Sequence, residues 1–164
     1  MKNKERQAHQ LRFSEGSYSI PIRSTNIRKI VIRRNINIQD WDSTFHFSFD
    51  KYDKGPIIDA LLIAEAPHSI VSQVSENISA GRRDEGFTYS NPSRRQSVVG
   101  VGKTTSGPEV LDTTIHEIVH IAQHIAMEDG IDPFSEEFAY LCGHISHEVS
   151  DIVCLLSCPH CRGD

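Results

Sequence analysis

Residues 113–124 read TTIHEIVHIAQH and place three histidines, His116, His120 and His124, in a segment with apolar residues at helical spacing. On an α-helix, His116 and His120 lie one turn apart on the same face, so their imidazoles can converge on one ion. Glu117 completes the pattern His-Glu-x-x-His, in which two histidines bind zinc and the glutamate acts as general base. The pattern predicts a metal site on a helix.

Zinc suits these residue types because it is redox-silent and accepts imidazole and carboxylate ligands. It lowers the pKa of bound water to roughly 7, which makes hydroxide available at neutral pH. Glu117 then accepts the water proton and passes it to the leaving amine. We therefore expect one Zn²⁺ per chain and hydrolysis of a peptide or other amide bond.

The third ligand is not fixed by this segment. His124 stands about 12 Å along the helix axis from His116, too far for both to bind one ion in an unbroken helix. The link between His120 and His124 has no glycine, so the metzincin spacing HExxHxxGxxH is not met. The remaining candidates are Glu136 and Glu137, and face geometry alone does not decide between them.

The segment TTIHEIVHIAQHIAMEDGIDPFSEEFAYLCGHI, residues 113–145, resembles the small zincin-like metallopeptidases of the gluzincin type found in phages and bacterial mobile elements. In that family HExxH is followed by a helix carrying Glu-x-x-Ala or Glu-x-x-Ser. The resemblance implies Glu136 as the third zinc ligand, with Ala139 as the small residue. Tyr140 departs from the family, where an aspartate often follows, and Glu137 is an adjacent alternative ligand.

The order of elements predicts an α+β fold in a single domain over residues 1–164, and the resemblance implies that this domain is zincin-like. We expect a small mixed or antiparallel sheet packed on the HExxH helix and on a following C-terminal helix. A polar arm (1–15) precedes this unit, and a cysteine-containing tail (157–164) follows it.

Strands are predicted where β-branched and aromatic residues alternate with polar ones, in SYSIPI, IRKIVIRRNINI, TFHFSFD, FTYS and RQSVVGVG. The last of these is either an edge strand that binds an extended peptide or an ordinary core strand. Residues 55–80 read as helix with a break or kink at Pro67.

Two longer helices follow, over 109–128 with Gly130 as C-cap, and from Asp132 or Ser135 to about Leu156. The expected apolar stripe of the first comprises Leu111, Ile115, Ile118, Ala122 and Ile125. That of the second comprises Phe138, Leu141, Ile145, Val149 and Ile152.

Composition narrows the class of protein. The net charge is −5, and the sequence has no run of about 18 apolar residues that could span a bilayer. The first residues, MKNKERQAHQLRF, lack the apolar core of a secretory signal, so we expect a cytoplasmic protein, in the bacterial host if phage-encoded. The arginines cluster locally without interleaved aromatic residues, which argues against nucleic acid as a binding partner. We expect a peptide or protein as the partner instead.

Other interpretations stay open. The chain could be a zincin-fold protein without catalytic activity that serves in phage structure or in host interaction. Such a protein would use a structural zinc with a fourth protein ligand, such as His147 or Cys142. A polyanion-binding module would use the arginine clusters and lose affinity with salt. The CPHC pair near the C-terminus, with Cys154 or His160, is a further candidate for a small zinc site.

Overall fold

The computed structural model describes residues 31–48, 54–81, 86–102 and 106–158. Within these ranges the chain forms four β-strands and four α-helices, so the α+β class is confirmed. The polar arm, the SYSIPI segment and residues 159–164 of the cysteine tail lie outside the described residues.

The strands are β1 (Val31–Ile38), β2 (Trp41–Ser48), β3 (Phe87–Asn91) and β4 (Gln96–Val101), and they form one mixed sheet in the order β1-β2-β4-β3. The β1–β2 and β3–β4 pairs are antiparallel, whereas β2 and β4 run parallel. Gln39 and Asp40 connect β1 to β2 with φ of 52° and 63°. Positive φ at both residues is the conformation of the tight hairpin turn that matches strand twist.

The position of β4 decides a question that the sequence left open. Strand β4 lies between β2 and β3, and five of its six residues are buried. RQSVVGVG is therefore a core strand, and an edge of the described sheet is instead β3, whose residues are all half-buried. An edge strand presents backbone groups that a further strand can pair with.

The helices are α1 (Lys54–Ile63), α2 (His68–Ser79), α3 (Gly107–Asp129) and α4 (Glu136–Ser157). The predicted interruption at Pro67 is confirmed, because α1 ends before it and α2 begins after it. Among the described residues, none of these helices combines the length and the apolar character that crossing a bilayer requires.

Local sequence signals fix the ends of the two long helices. Ser106 and Glu109 form a reciprocal capping box at the start of α3, and Gly130 ends it in the left-handed conformation at φ 70°. Ser135 caps α4 by accepting a hydrogen bond from the Phe138 backbone N–H. The two helices are thus separated by a short connection and pack against each other in one layer.

That helical layer covers one face of the sheet. The main core joins buried residues of α3 and α4 to apolar side chains of the sheet, including Trp41, Phe45, Phe47, Val99 and Val101. A second, smaller core lies where α1 and α2 pack over Val98 on the other face.

The predicted stripe of α4 is confirmed, with Leu141, Ile145, Val149 and Ile152 buried and Phe138 packed at the margin. The predicted stripe of α3 is wrong at Leu111 and Ile115, which are each 50 % exposed. The buried arc of α3 is displaced around the helix because the sheet and α4 cover it from adjoining sides. It comprises Val110, Thr114, Glu117, Ile118, Ile121, Ala122, Ile125 and Ala126.

Candidate metal and catalytic site

His116 and His120 face each other across one turn of α3. Their Nε2 atoms are 3.0 Å apart, and the rings meet edge to face with centroids 4.7 Å apart. Two imidazole nitrogens that bind a tetrahedral zinc at about 2.0–2.1 Å stand roughly 3.3 Å from each other. His116 is exposed and His120 half-buried, so both nitrogens converge in a position that solvent can reach. The pair fits a shared metal ion with little adjustment.

Glu117 is buried between α3 and the edge strand β3, with only 3 % of its surface exposed. Its Oε2 accepts a hydrogen bond of 2.7 Å from the Thr88 hydroxyl. A Cβ atom on Gly86 would come within 2.4 Å of its Oε1, so the absence of a side chain there makes room for the carboxylate. A buried carboxylate is tolerated only with hydrogen-bonding partners, and the fold supplies one in place.

His124 lies one further turn along α3 and is half-buried. Its Nδ1 is 2.7 Å from the Ser90 hydroxyl of β3, which in turn is 2.6 Å from the Ser97 hydroxyl of β4. Burial, and secondarily the charge of His120, lower the pKa of His124 below its usual value. We call Glu117, His120 and His124 the polar flank of α3, since two of the three are hydrogen-bonded to β3.

The carboxylates of the next helix lie elsewhere. Glu136 and Glu137 occupy the first turn of α4, and both are exposed. Helix α3 continues from His120 to Asp129 before the chain turns back, a distance of about 13 Å along the axis. The structure therefore does not bring Glu136 or Glu137 to the histidine pair.

Helix α4 also runs on the far side of α3 from the polar flank. Arg34 of β1 donates to the Glu148 carbonyl and to the Asp151 carboxylate of α4. Strand β1 and strand β3 are the opposite edges of the described sheet. His144, His147 and Glu148 consequently belong to a different region from His116 and His120.

Within the described ranges, no three His, Cys, Asp or Glu side chains are grouped closely enough to hold one metal ion. His116 and His120 are brought together, Glu117 is buried against β3 on the same helix, and Glu136 as third ligand stays a prediction. Cys142 is half-buried, and burial raises the pKa of its thiol, while Cys154 is exposed. Cys161 lies outside the described residues.

Sequence reasoning missed three residues of this site: Gly86, Thr88 and Ser90. Each is ordinary for a turn or a strand, and none belongs to a motif. A weak signal is present in FTYS, where the hydroxyl residues Thr88 and Ser90 alternate with Phe87 and Tyr89. That alternation puts both hydroxyls on one face of the strand, and this face packs under α3.

Comparison of the chain with protein-family models, with curated proteins and with solved structures finds no match.

Proposed function

We propose that this chain is a zinc-dependent hydrolase, a metallopeptidase of zincin-like type that cleaves a peptide bond. The observation that carries the proposal is the convergence of the His116 and His120 Nε2 atoms, 3.0 Å apart, on the helix that also holds the buried carboxylate of Glu117. Two imidazoles without an adjacent base would support metal binding alone. The added glutamate, held by a neighbouring strand, supports hydrolysis.

His116 and His120 would hold the metal through their Nε2 atoms. When bound, zinc polarises a carbonyl group and lowers the pKa of water. Catalytic zinc sites have three protein ligands, and we retain Glu136 as the third one implied by the resemblance to gluzincins. Glu136 is exposed in the first turn of α4 and lies away from the histidine pair, so it would have to approach His116 and His120 when zinc binds.

Glu117 acts as the general base. Its carboxylate accepts a proton from the attacking water and delivers it to the leaving amine. The hydrogen bond from Thr88 fixes Oε2, so the carboxylate is oriented before substrate binds. Preorganisation of this kind reduces the rearrangement that the reaction would otherwise require.

Strand β3 supplies a path for the substrate. In the described sheet it pairs with β4 on one side only, and it lies directly beneath the polar flank of α3. An extended peptide can add to such an edge through main-chain hydrogen bonds. A peptide bound there would pass next to Glu117 and the histidine pair, which is the relation that peptide hydrolysis requires.

Metal content is the first test. We would measure zinc by mass spectrometry in protein purified without chelator or tag, for the native chain and for His116→Ala, His120→Ala, Glu136→Ala and Glu137→Ala. We expect one zinc per chain, lost in both histidine variants and in Glu136→Ala but kept in Glu137→Ala. His147→Ala, an exposed histidine of α4, is the matched control. Unchanged zinc in both His116→Ala and His120→Ala would end the proposal.

Activity is the second test. The zinc-loaded chain is screened against an internally quenched hexapeptide library, with Glu117→Gln as the comparison. We expect Glu117→Gln to keep its zinc and to lose at least about 100-fold in kcat, the lower end of the usual contribution of a general base. Zinc binding without any cleavage that depends on Glu117 would instead favour the inactive, structural alternative.

A further inference from the structure

His124 is tied to the core by a line of three hydrogen bonds. The Trp41 indole Nε1 is 2.8 Å from the Ser97 hydroxyl, which is 2.6 Å from the Ser90 hydroxyl. Ser90 is in turn 2.7 Å from His124 Nδ1. The line starts at a fully buried tryptophan and ends at the half-buried histidine of the polar flank.

The direction of this line follows from its first member. An indole N–H only donates, so Ser97 accepts from Trp41 and has its own proton left for Ser90. Ser90 then has its proton left for His124, because neither serine hydroxyl has another protein partner in the described residues. This direction uses the proton of each hydroxyl, and in it Nδ1 of His124 accepts from Ser90. The ring proton is then on Nε2, consistent with the neutral ring that burial favours.

The Nε2–H group of His124 has no hydrogen-bond partner within the described part of the chain. Its ring lies nearly parallel to that of His120, at 27°, with the two centroids 6.5 Å apart. Successive residues of an extended strand advance about 3.3 Å, so this separation equals roughly two residues of a peptide. A donor with a fixed proton thus stands two peptide residues from the metal-binding histidine.

We propose that His124 donates from Nε2–H to a main-chain carbonyl of a peptide bound along β3, about two residues from the bond that is cleaved. The role rests on the proposed function, and it makes His124 a substrate contact rather than a metal ligand. Ser90 is a positioning residue, since it holds the tautomer in which the donor faces the substrate.

The tautomer is tested without substrate. In protein labelled with ¹⁵N-histidine, two-bond proton–nitrogen correlations distinguish a ring protonated on Nε2 from one protonated on Nδ1. We expect the Nε2–H pattern for His124, assigned by its disappearance in His124→Gln. Ser90→Ala should convert it to a mixture of tautomers. A native His124 protonated on Nδ1 would overturn the proposal, whether or not the chain is a peptidase.

The contact is tested with the best-cleaved peptide of the hexapeptide library. We expect His124→Leu to keep its zinc and kcat and to raise KM about tenfold, the effect of one lost hydrogen bond. His124→Gln keeps an N–H donor and should recover most of the affinity, while His147→Leu should change nothing. Loss of zinc in His124→Leu, or an unchanged KM, would overturn this role alone. If the native chain cleaves no peptide, the proposed function fails and this role fails with it.

Discussion

Helix α3 has two sides that are built from different chemistry. Ile118, Ile121 and Ile125 form its core stripe, which packs in the main core with α4 and the sheet. On the polar flank, Glu117 is hydrogen-bonded to Thr88 and His124 to Ser90, and both hydroxyl residues belong to strand β3. One helix thus packs in the core on one side and carries hydrogen-bonded polar side chains on the other.

The two sides of α3 contribute differently to the stability of the fold. Burying isoleucine stabilises the fold by roughly 1.5–3 kcal/mol per side chain. Burying a carboxylate costs free energy that its hydrogen bonds offset only in part, and apolar residues of similar shape serve stability at least as well. Stability alone therefore accounts for the core stripe and does not account for the polar flank. This contrast is the physical reason to look for a function on that flank.

The largest effect is expected from breaking the core stripe. Ile125 is fully buried, so Ile125→Ala leaves a cavity and should lower the free energy of unfolding by about 2–5 kcal/mol. Urea unfolding followed by circular dichroism measures this. Met127→Ala, at a side chain 82 % exposed, is the control and should stay within about 0.5 kcal/mol of the native chain. Equal losses in the two variants would contradict the assigned core.

Gly86→Ala tests the polar flank at its tightest contact. The new methyl group would meet the Glu117 carboxylate at 2.4 Å, so the carboxylate must leave its place beside Thr88. We expect a loss of about 1–3 kcal/mol in unfolding free energy and loss of hydrolysis with zinc retained. Gly143→Ala, where a Cβ meets no atom within 4 Å, is the matched control. Full activity in Gly86→Ala would contradict the assigned position of Glu117.

A smaller effect is expected from cutting the hydrogen bonds that support the flank. Ser97→Ala leaves the buried Trp41 N–H without its acceptor and should cost about 1–2 kcal/mol. Trp41 is the one tryptophan of the chain, so its fluorescence emission should shift as the indole environment changes. Ser150→Ala removes an exposed hydroxyl of α4 and should leave both quantities unchanged. An unchanged emission wavelength in Ser97→Ala would contradict the hydrogen bond between Trp41 and Ser97.

The smallest effect is expected at Leu111, which the periodicity of the sequence assigns to the core stripe. The side chain is 50 % exposed, so Leu111→Gln should change the unfolding free energy by no more than about 0.5 kcal/mol. Leu141→Gln, at a buried leucine of α4, should cost several times more. A large loss of unfolding free energy in Leu111→Gln would show that Leu111 belongs to the buried stripe of α3, as the sequence predicts.

Local signals were sufficient for the ends of the elements. Ser135, Gly130 and Pro67 act through their own backbone geometry and nearest neighbours, so the sequence alone predicts the end of α3 and the interruption at Pro67. It leaves the start of α4 at Asp132 or Ser135, and the structure has Ser135 as the N-cap. The HExxH spacing likewise predicts the histidine pair, because one turn of helix is enough to bring His116 and His120 together.

Features that depend on the arrangement of elements were not predictable in the same way. Whether β4 is an edge or a core strand depends on the order of strands in the sheet. Which side of α3 is buried depends on where α4 lies, which explains the error at Leu111 and Ile115. Thr88 donates a hydrogen bond to Glu117, which lies 29 residues away in the chain, and nothing in the sequence FTYS indicates this contact.

The parallel pairing of β2 with β4 has a consequence for how the protein folds. It brings Trp41 against Ser97, 56 residues away in the chain, whereas β3 and β4 are antiparallel neighbours joined by residues 92–95 and can pair locally. Helix α3 consists of local contacts and can form early, whereas closing so long a loop is slow. We therefore expect α3 and the β3–β4 pair to form before the bond between Trp41 and Ser97. Newly made chains would carry the histidine pair of α3 before β2 joins the sheet.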